Sequence, residues 1–396
     1  MKAIKCVKQS NLIIVINACT KLIDLFLGPF LVAYFIKTSM DSMVDLSIVK
    51  LMEYFFLGLF GVLLGYIIKR NHALAIFRLG VIARLIYILV IIVLQSEIIN
   101  YLGLIAFLHG FSAALFWLPF NIYMAKCVEN CERTAFEVNK KIVSTIIAVS
   151  GPLLLGALIT STNYISTAVY ILLISAAQIA CSFFLRNLPV TDTTFNMRAA
   201  IKRFSKVPQL RKSMLACFLE GMTLSAGPLA VIVTILIMSS FSTNFDLGVI
   251  NSAAAIAGVV VCYIYSKFFK KSRWDKPIAL ASSLITVAAT LLLCLTVSEA
   301  SVATYTILLE AFGVGLLSML LAVRVYNVSN TLVEREDTTE YWSLREVMLN
   351  IGRLVSFSVL LVIGLVAPEH LMTFLLVLSV FIVILGYVTA RIDRND

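Results

Sequence analysis

The chain has 396 residues, of which 60% are hydrophobic and only 14% charged, a balance far from that of a water-soluble domain. No soluble core could hide that much apolar side chain, and the apolar runs are long enough to cross a bilayer. The formal net charge of +10 would suggest nucleic acid in a soluble protein; in a membrane protein it reports topology, and no nucleic-acid partner is expected.

Apolar runs fall at about Leu12–Ile36, Leu46–Ile68, Leu74–Leu94, Ile98–Met124, Val138–Ile159 and Ile165–Leu185. A second set covers Met214–Met238, Leu247–Phe268, Ile278–Val297, Val302–Val325, Tyr341–Val366 and Leu371–Ala390. These predict about twelve spanning helices. Lys2, Lys5 and Lys8 resemble the basic head of a signal peptide. The apolar run that follows is too long for one and lacks a cleavage site, so it reads as an uncleaved first helix.

Helix one carries Asn17, Lys21, Asp24 and Gly28, spaced by four, three and four residues and followed by Pro29. That spacing sets all four on one helical face. Charges at bilayer depth face a bundle interior or a wet cavity and need partners, and Lys21 and Asp24 are placed to serve each other at (i, i+3). Between helices two and three the chain reads GYIIKRNHAL, with Gly65, Lys69, Arg70 and His72. Helix two also holds Glu53, read as a surface carboxylate near its outer end. Helix four holds His109, which either titrates near neutral pH or is a hydrogen-bonded structural residue. Beyond it Phe116, Trp117 and Phe120 form an aromatic pocket or pack the bundle. Helix five contains SGPLLLGA, with Gly151, Pro152 and Gly156.

The segment Asn187 to Arg211 is the longest polar connection and lies at the chain's midpoint. Met197, Ile201 and Phe204 share a face amid Arg and Lys, which predicts a short amphipathic helix on lipid headgroups, ended by Pro208. In helix seven Glu220, Thr223 and Gly227-Pro228 repeat the polar stripe and the Gly-Pro of helix one. Paired interruptions of this kind in two halves point to a transporter's central site. Helix ten has Glu310 within the membrane and Arg324 near its end, where the long side chain is expected to snorkel. Helix eleven carries Glu346, Asn350 and Arg353, with Trp342 on the same face. Arg353 is deep enough to need a carboxylate or an anionic ligand.

Lys and Arg concentrate in alternate connections, including Lys69-Arg70, Lys140-Lys141, Arg186 to Lys212 and Lys267 to Lys276. By the positive-inside rule both termini are cytoplasmic, and an even helix count agrees. The cysteines are scattered without metal-ligand or redox spacing, so free thiols, no metal and no cofactor are expected. Asn121 and Asn327 occupy matching places late in helices four and ten, a further echo between two six-helix halves.

With these features the chain resembles the major facilitator superfamily over essentially its whole length. The family's signature after helix two is G-x-x-x-D-R-x-G-R-R; Gly65 and Arg70 match it, while Lys69 stands at the Asp and His72 at the second Gly. SGPLLLGA is similar to the G-P-x-x-G-G of proton-coupled exporters, with Leu155 at the first Gly of the final pair. The resemblance implies an all-α integral membrane fold of two pseudo-symmetric six-helix bundles, with helices one, four, seven and ten lining a cavity. The units expected are residues 1–190, a linker 191–211, and 212–396. It also implies a peripheral helix three, whose Arg84 then snorkels or packs structurally.

The function expected is proton-coupled export of a small amphipathic or hydrophobic compound by alternating access, in the plasma membrane, by a monomer. Import of a polar or anionic solute, lipid flipping and a non-transporting role are the alternatives. Asp24, Lys21, Asn17, Glu220, Glu310, Arg353, Asn350, His109 and Trp117 are the candidates for the substrate and proton pathway. Gly28, Pro29, Gly227, Pro228, Gly151, Pro152, Gly156, Gly65 and Arg70 are the candidates for conformational change. An enzyme is not expected, since no HExxH, GxSxG or Walker A sequence occurs.

Overall fold

A computed structural model describes residues 2–39, 42–127, 133–186, 195–224, 227–269 and 274–392. Helix α1 runs over Lys2–Leu25, through a π-helical turn at Phe26–Phe30, into Leu31–Thr38. The irregularity is local chemistry: Pro29 has no N–H for the preceding turn, and Gly28 leaves the helical region at φ −92°, ψ −106°. Helix α2 is Ser42–Ile67, followed by a π-helical turn, Ile68–His72.

Ala73 to Asn121 is one helical run of 49 residues. Laid straight at 1.5 Å per residue it would be about 74 Å long, more than twice the hydrocarbon thickness. It turns back instead. Gln95 adopts a positive φ of 48°, a 3-10 stretch covers Gln95–Tyr101, and α4, Leu102–Cys127, packs on α3, Ala73–Leu94.

The remaining helices are α5, Arg133–Ser161; α6, Tyr164–Phe183; α7, Pro208–Thr223 and Pro228–Phe241; and α8, Asn244–Phe268. They continue with α9, Asp275–Leu295; α10, Glu299–Leu308 continuing through π-helical Leu309–Leu317 into Ser318–Leu332; α11, Thr338–Val366; and α12, Leu371–Ala390. Eleven long apolar helices, one of them reversing at Gln95, give twelve crossings among the described residues and return the chain to the side on which it began. That side is the terminus side, and the other the far side.

Packing follows an internal repeat. In the first half α1 meets α5 and α6, α2 meets α4, and α3 meets α4 and α6. In the second half α7 meets α11 and α12, α8 meets α10, and α9 meets α10 and α12. Adding six to each number converts one set into the other, so these are two six-helix bundles of one design. The seams between them obey the same rule: α2 against α11, and its counterpart α8 against α5, with the outer parts of α1 and α7 also in contact.

The α5–α8 seam explains SGPLLLGA. A Cβ on Gly156 would stand 2.5 Å from the Asn244 carbonyl oxygen, and one on Gly248 would stand 2.5 Å from that of Pro152. Small residues let the backbones approach where lipid provides no hydrophobic drive for association. The Leu153 N–H, one residue past Pro152, donates across the seam to Ser252 Oγ at 3.1 Å.

The linker helix, Met197–Phe204, differs from expectation. It ends before Pro208, which instead opens α7 at its first turn. Ala200 and Phe204 are buried against protein while Ile201 is 45% exposed, so the helix docks on α11 through Phe204 and Tyr341. The loop holding Cys131 and the linker's first part, residues 187–194, lie outside the described residues.

Gly156→Val would force the far-side ends of α5 and α8 apart, because backbone and not a yielding side chain faces the new methyls. Spin labels at Thr160 and Phe245 should separate by a few ångströms in this variant, measured by pulsed electron resonance; an unchanged distance would refute a glycine-dependent seam.

Candidate functional site

The helix break at Gly28-Pro29, Leu224 with the part of α7 that starts at Pro228, and the π-helical part of α10 meet around a cavity of about 320 Å³. Its walls come from both bundles: Gly28, Pro29 and Val32 of α1, Lys50 and Tyr54 of α2, Leu229, Val233 and Thr234 of α7, Asn251 of α8, and Thr306, Glu310 and Val314 of α10. The lining is mainly apolar, with a few polar groups converging, the usual composition of a small-molecule site. Glu310 lies eleven residues into α10, about 17 Å along it, and a π-bulge at such a place is common at functional sites. Its carboxylate has no ion pair or hydrogen bond among the described residues.

Asp24 pairs with Arg84 of α3, not with Lys21. Arg84 is 1% exposed and lies 5.0 Å over the Phe116 ring, so it does not snorkel. The cause is register: α3 turns Arg84 into the bundle, where only a carboxylate offsets its desolvation. Lys21 is exposed and shares a face with Gly28, seven residues on. Asn17 is buried and donates to Ser144 Oγ of α5 at 3.0 Å, a contact within the bundle.

Glu53 is not a surface carboxylate. It is 5% exposed, and its Oε2 accepts from Lys50 Nζ at 2.7 Å and lies 3.0 Å from His109 Nδ1. The His109 ring is stacked on Tyr87 at 4.9 Å. Trp117 packs edge-on against Phe116 and Phe120 and is not among the cavity residues.

In the second bundle Glu220 is buried beside Arg345, 3.6 Å away, and Arg345 also bonds Glu346 at 3.0 Å. Asn350 accepts from Arg353 at 2.9 Å, and the Arg353 guanidinium lies 4.8 Å over the Tyr54 ring of the other bundle. Arg324 is 2% exposed, donating to the Thr389 and Ile392 carbonyls with Asp275 at 3.8 Å; it caps the end of α12 and does not reach to lipid headgroups.

On the terminus side, Lys69 pairs with Glu340 of α11 and donates to the Glu336 carbonyl at 2.8 Å. The lysine at the signature's Asp position thus meets a carboxylate from the opposite bundle. The linker joins the same contact. Arg203 pairs with Asp337, the Asn196 N–H donates to Glu340 at 3.1 Å, and the Phe195 ring fills the space a Gly65 side chain would take. The Arg70 side chain lies outside what the structure describes.

Of the residues marked out in the sequence, Gly28, Pro29 and Glu310 line the cavity, and Gly227-Pro228 lies between its lining residues Leu224 and Leu229 without lining it. Lys50, Tyr54, Asn251 and Thr306 line it without being marked out in the sequence, and neither is Arg345, which pairs with Glu220 and Glu346. Lys50, Glu53 and Tyr54 share one face of an apolar helix, a signal hidden because α2 starts four residues earlier than its apolar run and carries them deeper. Arg345 adjoins the stripe of α11 and is readable in the same way.

The sequence matches the family profile described as Major Facilitator Superfamily over residues 13–357. It is 26% identical over 314 residues to the uncharacterized protein YqgE of Bacillus subtilis (strain 168), covering 78% of this chain and 71% of that one. Its fold is similar to a mutant form of the nucleoside transporter NupG (TM-score 0.71, 13% identity, 98% of this chain and 100% of that one). It is also similar to the Escherichia coli fucose:proton symporter FucP (TM-score 0.65, 12% identity, 99% of each). A third likeness is the human organic anion transporter MFSD10 (TM-score 0.66, 14% identity, 97% of this chain and 98% of that one).

Two ion pairs give tests. Asp24→Leu strands a buried guanidinium and should destabilise by about 3–5 kcal/mol, whereas Asp24→Leu with Arg84→Met should recover most of that loss in thermal unfolding. Equal instability of single and double variants would remove the pair's role. For the seam, Ser343→Cys in a cysteine-free background should react slowly with a thiol reagent, being fully buried beside Gly65. Lys69→Glu or Glu340→Lys alone should speed that reaction severalfold, and the double reversal should slow it again; additive acceleration would rule the pairing out.

Proposed function

The chain belongs to the Major Facilitator Superfamily, and we propose that it exports a small amphipathic compound carrying positive charge in exchange for protons. Membership makes it a multi-pass secondary transporter, not an enzyme. Glu310 carries the reading. An unpartnered carboxylate among apolar walls is costly when charged, and either a proton or a cation relieves that cost. Two ligands competing for one carboxylate is the elementary requirement of antiport. Lys50 shares the cavity, but Glu53 already neutralises it, which favours a cationic over an anionic ligand. The volume lies near the lower end for small-molecule sites, and Val32, Leu229, Val233 and Val314 suit an apolar body.

Alternating access then moves the bundles about this midplane site. The moving units are residues 1–190 and 212–396, joined by 191–211. Gly28-Pro29 and Gly227-Pro228 are the flexing points, and the Gly151, Pro152 and Gly156 stretch is the sliding surface. The excess of Lys and Arg on the terminus side supports cytoplasmic termini in a plasma membrane, and a monomer is sufficient for the cycle.

The test is flux of tetraphenylphosphonium, a lipophilic cation without a titratable proton, in proteoliposomes under an imposed pH gradient. Wild-type protein should concentrate the probe, and Glu310→Gln should reduce driven flux at least about tenfold, as expected when a buried charge partner is lost. Full activity of Glu310→Gln, with folding intact, would reject this carboxylate as the exchange site.

A further inference from the structure

The exchange at Glu310 uses one carboxylate, yet a second group of titratable side chains is built at the edge of the same cavity. Lys50 Nζ and His109 Nδ1 converge on a single oxygen of Glu53, at 2.7 Å and 3.0 Å. The three side chains are 12%, 13% and 6% exposed respectively. Close approach of α4 to α2 makes the cluster possible: a Cβ on Gly110, next to His109, would stand 2.4 Å from the Glu53 carbonyl oxygen. Around it, α3 contributes Tyr87 under the imidazole and Arg84, which Asp24 of α1 engages. From α2 comes Tyr54, and from α11 Arg353 lies on the Tyr54 ring. Lys50 and Tyr54 line the cavity that holds Glu310.

We propose that Glu53 and His109 form a second proton-binding site, and that Lys50 carries its charge state into the central cavity. With Nδ1–H directed at Glu53, the lone pair on Nε2 accepts the proton, and the group Lys50–Glu53–His109 passes from neutral to a net charge of +1. One carboxylate oxygen cannot neutralise two cations. The imidazolium takes the larger share of Glu53, and Lys50 turns its ammonium towards the cavity, where Glu310 is the unpartnered carboxylate. Proton uptake therefore drives a cation off Glu310, and cation arrival releases the proton. The link to transport rests on the reading of Glu310 as a cation site; the proton site itself does not.

The experiment uses full-length protein in lipid nanodiscs with ¹⁵N-labelled histidine. His72, His109 and His370 are the three histidines, so His109→Gln identifies the signal. Without any probe, the His109 signal should convert from the imidazole to the imidazolium pattern as the pH is lowered. A signal fixed in one form overturns the site. Tetraphenylphosphonium binding in weak buffer should then release about one proton more per probe in wild type than in His109→Gln or Glu53→Gln. Equal release with binding retained overturns the coupling. Lys50→Met, which leaves Glu53 and His109 in place, should abolish the dependence of probe affinity on the His109 state and serves if Glu53→Gln does not fold. Absence of probe binding at every pH rejects the Glu310 reading and with it the role of Lys50, while the probe-free titration still decides the proton site.

Discussion

A charge surrounded by hydrocarbon is stable opposite another charge or a dense set of polar partners, and this constraint organises the interior around Glu310, the carboxylate left without such a partner among the described residues. Asp24 with Arg84, Glu53 with Lys50 and His109, Glu220 and Glu346 with Arg345, and Asp275 with Arg324 each join helices within one bundle or one helix. Lys69 with Glu340 joins the two bundles. Pairs inside a bundle make it a rigid body, because separating them exposes both charges to a poor solvent. The pair between bundles lies on the terminus side, where water can replace either partner when the seam opens. Rigid bodies with a wettable seam are the physical condition for one bundle to move against the other.

The internal repeat supplies two seams by symmetry, but their chemistry has diverged. The α5–α8 seam is glycine-lined and close enough that a single methyl group has no room. The α2–α11 seam is held by charge at one end, by Arg353 on Tyr54 in the middle, and by Gly364 against Met43 and Val44 at the far end. Dispersion contacts fall off steeply with separation, whereas charge attraction weakens slowly. Separation therefore costs the first seam its contacts at once and the second more gradually.

Features of the fold set by local sequence are legible in the residues alone. Apolar length gives the spans, and missing N–H groups give the breaks at Pro29 and Pro228. The mutual likeness of Gly28-Pro29 and Gly227-Pro228 gives the repeat. Partnership across helices is not legible. Asp24 and Lys21 are neighbours on a helix surface, yet the partner of Asp24 is sixty residues away, because side-chain direction and helix rotation, not spacing, decide which groups meet. Depth misleads for the same kind of reason. Glu53 and Arg324 sit near the ends of apolar runs, but their helices extend beyond those runs and other helices cover them, so apparent surface positions are interior ones.

The linker breaks the equivalence that the repeat sets up. Phe195 against Gly65, Asn196 on Glu340 and Arg203 on Asp337 strap the chain's only covalent bridge between bundles across one seam, on one side of the membrane. A short tether keeps separated faces at a high effective concentration of each other. When the α2–α11 faces part on the terminus side, they remain within reach of the strap, and their reunion is a local search. Among the described residues the α5–α8 faces carry no such strap on that side. Two seams that are twins in architecture thus differ in tether, and the chain itself is tied across one of them.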